Sequence, residues 1–339
     1  MKKKILSVLK YLFFLAIGGV LFWLAIRGEN IDSILIEIKK ADYRWIALAI
    51  ITMLVSHIIR ALRWNQLLEP LNIKVKTHTT FYAVMIGYFV NIAVPRLGEI
   101  TRCGVLARHH KVPVNSVIGT VIAERAFDVI TMLVILIITI LSQLSFLEKF
   151  IYKNIFEPLS SKFPNSSAAL LIITGSFIGI CLLIIIVYRL CLPMLRKLKL
   201  FHKIIDLIKG FWEGVKTIKN VKNKKLFIFY SILLWGFYTL TIYISFFAVS
   251  ATSERNFIDA LTVMALGSIG TLAPTPGGIG AYQYFVKITL SGLYKISEIP
   301  AFSFANIVYF TQWFMIIIVG SISWLILFLS DKKKKEIIT

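Results

Sequence analysis

Negative charge is scarce in this chain: 17 aspartates and glutamates stand against 38 lysines and arginines, and only 16% of residues are charged at all. A soluble domain carries roughly a quarter. The shortage excludes an ordinary water-soluble globule and leaves few acids for catalysis. Cysteine is nearly missing too. Cys103, Cys181 and Cys191 form an odd set without metal-ligand spacing, which excludes a disulfide framework and leaves them as helix filler. Long polar stretches are absent, so the connections are too short to hold a separate catalytic domain. No Walker or dinucleotide fingerprint, nucleophile elbow or local metal motif is found.

What the chain has is apolar length. Residues are 58% hydrophobic, mean hydropathy is +0.79, and apolar runs lie near 8–26, 45–59, 79–95, 115–147, 168–188, 226–249, 258–273 and 302–329. Most reach the ~17–25 residues that cross a bilayer. The sequence therefore predicts an all-α polytopic membrane protein, one integral membrane domain over 1–339. The first apolar segment is long, lacks a clear cleavage site and leads into further spans, so it reads as an anchor. The net charge of +21 is gathered in "MKKK", "RLCLPMLRKLKLFHK", "KTIKNVKNKK" and "DKKKK" between or beside apolar runs. That placement reports orientation and attraction to anionic headgroups, and it argues against nucleic acid.

With the basic stretches held cytoplasmic, the charges constrain the path. Arg60, Arg63, Lys74 and Lys76 fall inside after the second span. If 79–95 crossed fully, Arg102, Arg108, His109, His110 and Lys111 would lie outside, against the positive-inside rule. A re-entrant hairpin over 79–108 keeps them inside. The segments 258–273 and 279–295, joined by "PTPGG", form a second helix–break–helix entering from the other face. The result is about six full spans and two opposed re-entrant helical hairpins. Residues 1–150 and 160–339 become two halves of an inverted-topology repeat, with both termini in the cytoplasm of a multi-pass cell-membrane protein. In such repeats the interrupted segments mark the binding site.

The stretch "VPRLGEITRCGVLARHH" at 94–110 opens with a proline suited to a first helical position. A helix from Pro95 brings Arg96, Glu99 and Arg102 to one side at three-residue spacing. Glu99 can pair with either arginine and leave the other for an anion. Arginine suits this because it keeps its charge and grips phosphate with two donors. The next span carries "AERAFD", whose Glu124 lies roughly 13 Å along its helix at ~1.5 Å per residue. A lone charge at membrane depth costs ~2.5–3.5 kcal/mol, so Glu124, Arg125 and Asp128 need partners. Glu124 and Asp128 repel unless Arg96, Arg102 or Arg125 lies between them. The expectation is one buried ionic cluster beside a polar cavity; a purely structural cluster holding helices together is the alternative.

Opposite it stands "APTPGGIGAYQ" at 273–283. Pro274 and Pro276 end the descending helix, and Gly277, Gly278 and Gly280 permit a sharp reversal. Backbone N–H groups there can face an anion. His57, on an apolar helix face, reads as a satisfied core histidine, and His109 and His110 as solvated rather than metal-binding. "NIDSILIEIKKADYRW" and "IIDLIKGFWEGVKTIKNV" read as interfacial amphipathic helices, with Tyr43, Trp45 and Trp212 at headgroup level.

Taken in order, "RALRWNQLL" (60–68), "PRLGEITR" (95–102), "IAERAFDVI" (122–130) and "PTPGGIGAYQ" (274–283) make the chain resemble the membrane region of the bacterial lysylphosphatidylglycerol synthase family. The resemblance covers nearly the whole length. It implies a flippase-like protein moving aminoacylated phosphatidylglycerol between leaflets, with opposed re-entrant helices around a central cavity. The family's R-x-G-E-x-x-R pattern falls on Arg96, Gly98, Glu99 and Arg102, and its E-R-x-x-D pattern on Glu124, Arg125 and Asp128. The family's second motif commonly ends in glutamate where this chain has Gln283, which removes a charge. The aminoacyltransferase domain of true synthases is absent, so the resemblance implies no synthase activity here.

The sequence thus points to a flippase or transporter of a phosphate-bearing lipid or lipid-linked substrate, not an enzyme, with no cofactor or metal. Substrate contacts are expected from Arg96, Glu99, Arg102, Glu124, Arg125, Asp128, Pro276, Gly277, Gly278, Gly280 and Gln283. Expected partners are membrane phospholipids, anionic or aminoacylated, and a second copy of the chain. The alternative is a non-transporting membrane partner of an envelope lipid or glycan biosynthesis enzyme.

Overall fold

A computed structural model describes residue 23 and residues 31–73, 75–94, 97–143, 219, 221–273 and 275–336. The expected span at 8–26 apart from residue 23, the span at 168–188, most of the second amphipathic segment with Trp212, and Lys74, Pro95, Arg96 and Pro274 lie outside them. The described residues are helical, with no strand among them. Those up to Thr139 and from Lys219 onward belong to one compact unit.

Helix α1 (Ile31–Lys40) is the expected amphipathic segment. Ile34 is buried against Phe302, while Leu35 and Ile36 stay exposed. Helix α2 (Tyr43–Leu68) begins where Asp42 accepts the Arg44 N–H. The Arg44 guanidinium also bonds the Asp42 carboxylate and holds its pKa below the usual range. Helices α3 (Thr77–Ala93) and α4 (Leu97–His110) pack on one another as a hairpin, and α5 (Val114–Ser142) follows. Helix α6 (Lys224–Phe246) is capped by Asn223, whose side chain accepts the Leu226 N–H. Helix α7 (Phe257–Thr271) starts from a reciprocal box between Asn256 and Asp259. It pairs with α8 (Ala281–Ile288), and α9 (Glu298–Glu336) ends the described chain.

Three of these segments, Tyr43–Leu71, Lys224–Phe246 and Glu298–Ser330, are long and apolar enough to cross a membrane. Hydroxyl side chains on the apolar helices are satisfied locally. Thr239, Thr241 and Ser245 on α6, and Ser268 on α7, donate to the carbonyl four residues back. A hydroxyl bonded this way needs no water, which apolar surroundings cannot supply.

The arrangement of ends fixes where the hairpins point. Helices α2 and α6 run antiparallel: Lys222 pairs with Glu69 at 3.2 Å at one end, and the Asp42 N–H donates to the Ala248 carbonyl at the other. The α3–α4 hairpin is attached at the first end and the α7–α8 hairpin at the second. Each hairpin closes tightly on glycine. A β-carbon on Gly98 would collide with the Gly87 carbonyl, and one on Gly270 would sit 2.8 Å from the Ala281 carbonyl oxygen. Such approach lets backbones touch and is the packing used between helices in lipid.

Candidate functional site

The buried charges assemble on three helices, α2, α4 and α5. Glu124 of α5 is wholly buried and takes Arg60 at 2.7 Å, Arg63 at 3.3 Å and Arg102 at 3.1 Å. Asp128, one turn further, takes Arg63 at 2.6 Å and Arg60 at 3.6 Å. Arg60 and Arg63 thus straddle both acids. Tyr238 of α6 accepts from Arg60 Nε and Nη2 at 3.2 and 3.0 Å. Arg102 lies over the Trp64 ring, 4.7 Å from its centre, and Trp64 in turn donates to Thr120.

The acids do have arginine around them: Arg102 reaches Glu124 and Arg125 reaches Asp128, as expected, and Arg60 and Arg63, not expected there, bridge both acids. The sequence placed those two by side only, as cytoplasmic charges; both are buried within the protein, on α2. Their three-residue spacing inside an otherwise apolar helix was the available signal, the same signal that singled out Glu124. Glu99 pairs not with Arg102 but with Arg125, at 3.1 Å, and Arg125 also reaches Asp128 at 3.8 Å. The cluster of Arg60, Arg63, Arg102, Arg125, Glu99, Glu124 and Asp128 carries one positive charge in surplus.

On the side of Glu99 and Arg125 the network borders a cavity of about 410 Å³. Its walls come from Tyr88 and Asn91 of α3, Glu99 of α4, Arg125 of α5, the turn residues Thr271–Ala273, Thr275, Gly277 and Gly278, and Tyr309, Gln312 and Trp313 of α9. The tips of both hairpins therefore face one space. The Arg125 and Glu99 side chains are 41% and 31% exposed, unlike Glu124 and Arg63 at zero. Glu99 Oε2 and Arg125 Nε have no hydrogen-bond partner among the described residues. A polar ligand in the cavity would satisfy them.

The glycine turn behaves as expected in backbone: Gly277, Gly278 and Gly280 have φ of 59°, 80° and 79°, values open to glycine and strained for other residues. Pro276 opens a short 3₁₀ turn through Gly278. Not all of its amides face outward, however. Gly278 N–H donates to the Thr275 carbonyl, and Gly280 N–H to Gln283 Oε1 at 2.8 Å. Gln283 is fully buried and, like Gly280, is not among the cavity walls; it fixes the entry to α8. Tyr309 donates to the Gly277 carbonyl at 3.0 Å and ties the turn to α9. Arg102, Glu124 and Asp128 stand behind the cavity, whereas Glu99, Arg125, Gly277 and Gly278 line it. Arg96 lies outside the described residues. His57 departs from expectation: it is buried, yet neither ring nitrogen has a hydrogen-bond partner among the described residues.

Residues 11–320 match the family model described as the lysylphosphatidylglycerol synthase TM region. The chain belongs to this family. Among curated proteins it is similar to UPF0104 membrane protein PH1989 of Pyrococcus horikoshii, 26% identical over 80% of this chain and 83% of that one. It is also 27% identical to UPF0104 membrane protein MJ1078 of Methanocaldococcus jannaschii, over 70% and 94% of the two chains. A UPF0104 membrane protein of Methanothermobacter thermautotrophicus is 22% identical over 75% and 76%. No solved structure matches. The family match spans every residue of the charged network and both hairpin tips.

Proposed function

We propose that this family member carries a phosphate-bearing lipid or lipid-linked substrate across the cell membrane, with the phosphate held in the cavity between the hairpin tips. One observation carries the reading: a charged, partly open Arg125–Glu99 pair faces a glycine-rich turn across 410 Å³ of cavity, backed by a network with one cation in excess. A surplus arginine in a low-dielectric wall attracts an anion strongly, because little solvent screens it. Glu99 tempers that attraction, which suits a site that must also release.

In this reading the hairpins are re-entrant, entering the bilayer from opposite faces, and the halves 1–150 and 160–339 form an inverted repeat with cytoplasmic termini. Attachment of the two hairpins at opposite ends of the α2–α6 pair supports it. No covalent chemistry is assigned to the protein. The test is movement of fluorescent phospholipids in proteoliposomes. Wild type should scramble an anionic lipid, and Arg125→Gln should slow it about tenfold, the loss of one charge-assisted contact. Absence of movement across a broad lipid panel would favour the non-transporting partner of an envelope enzyme.

A further inference from the structure

Behind the cavity between the tips lies a second one of about 180 Å³, and the two share Tyr88, Thr271 and Gln312 as walls. The inner cavity is different in chemistry. It is lined by His57, Tyr238, Thr241, Ser268, Tyr282 and Gln312 among apolar residues, with no carboxylate, lysine or arginine in its wall among the described residues. Its polar groups have both kinds of capacity left over. Tyr238 accepts two bonds from Arg60, so its own O–H remains to donate. Ser268 spends its proton on the Met264 carbonyl and keeps lone pairs to accept. His57 offers one donor and one acceptor, both buried and unused among the described residues. Mixed donors and acceptors match hydroxyl groups, each of which gives one bond and takes two. Aromatic faces at Tyr88, Tyr238 and Tyr282 suit the C–H surface of a polyol.

A cation fits poorly. Among the described residues no acid lines the inner cavity, and the Arg60 guanidinium already lies 5.8 Å from the Tyr88 ring centre. The surplus positive charge of the adjoining network would add repulsion. We propose that the inner cavity receives an uncharged polyhydroxylated headgroup, of glycerol or sugar type, attached to the phosphate held beside Arg125. This rests on the transport reading for the phosphate and goes beyond it by naming what the phosphate carries.

The experiment is native mass spectrometry of the purified full chain with four lipids of equal acyl composition: phosphatidylglycerol, phosphatidylinositol, phosphatidic acid and phosphatidylethanolamine. The two polyol lipids should be retained about tenfold over the other two, as one or two buried hydrogen bonds would give. His57→Phe and, separately, Ser268→Ala should erase most of that preference while phosphatidic acid binds as in wild type; that unchanged arm also shows the variants are folded. Equal retention of all four lipids by wild type, or a preference that survives both substitutions, overturns the assignment. So does stronger retention of phosphatidylethanolamine, which would mean a cation site. Excess soluble glycerol 3-phosphate should leave the lipid bound; displacement would overturn a lipid-borne ligand in favour of a soluble polyol phosphate. A polyol preference in a protein that scrambles nothing removes the transport reading and keeps this one.

Discussion

Arg63 and Arg125 carry the same charge and touch the same acid, Asp128, yet they answer to different physics. Arg63 is wholly enclosed and satisfies both Glu124 and Asp128. Removing one partner of a buried ion set strands the others in a low dielectric, at about 3–5 kcal/mol. Arg63→Leu should therefore lower the melting temperature in detergent sharply and cut the yield of monodisperse protein. Arg125 is 41% exposed at the cavity wall, where an ion pair stabilises by at most about 1 kcal/mol. Arg125→Gln should melt near wild type while losing retained anionic lipid on native mass spectrometry. If the two variants lose stability equally, the division between a structural network and a binding wall is wrong. Half of this network was legible in the sequence. Glu124, Arg125 and Asp128 stood out because charge inside an apolar run must find a partner. Arg102 and Arg125 were legible as their partners, but Arg60 and Arg63 were not, because Arg60 lies 64 residues from Glu124, and spacing along one helix says nothing about which distant helix packs beside it.

At the scale of elements, glycine separates the contacts that hold a hairpin from those that do not. A β-carbon at Gly98 meets the Gly87 carbonyl and the Asn91 side chain, whereas one at Gly104, on the same helix α4, meets nothing within 4 Å. Gly98→Ala should force α3 and α4 apart, lowering thermal stability and lipid retention together. Gly104→Ala should be neutral or stabilise by up to about 1 kcal/mol, the helix propensity of alanine over glycine. Thermal melts of the two variants in one detergent check this, and a harmless Gly98→Ala would refute the close approach. The turn at 277–280 was readable for the same reason: prolines and glycines report the backbone they require. What the turn's amides do was not readable. Gln283 closes on Gly280, a local bond that competes with any ligand for the same donor, and residue identity alone does not say which wins.

At the scale of the molecule, the hairpins make a claim about sides. Leu71 precedes α3 and Lys111 follows α4, and an α3–α4 hairpin returns both to one end of the unit, the end where Lys222 pairs with Glu69. Ser250, beyond α6, belongs to the other end, near Asp42. In a chain with its three cysteines replaced, Leu71→Cys and Lys111→Cys should react with an impermeant maleimide from the same side, and Ser250→Cys from the opposite side. Labelling of positions 71 and 111 from opposite sides would mean that the chain crosses between them. Composition and the placement of lysine and arginine were enough to expect helices and the two interruptions. They did not distinguish an orienting surface arginine from an embedded one, since Arg60 and Arg63 sit near the end of an apolar stretch and fit either place.

Helix α9 touches both tips. Tyr309 grips the Gly277 carbonyl at one, and Gly320 lies so close to Phe89 that an added β-carbon would sit 2.7 Å from it. Between these two points run Gln312, Trp313 and Ile316, which face the shared cavity. A single rod thus bears on both tips like the beam of a balance: tilting it to free one presses on the other. Loosening both at once would require the beam to bend or one of these grips to break.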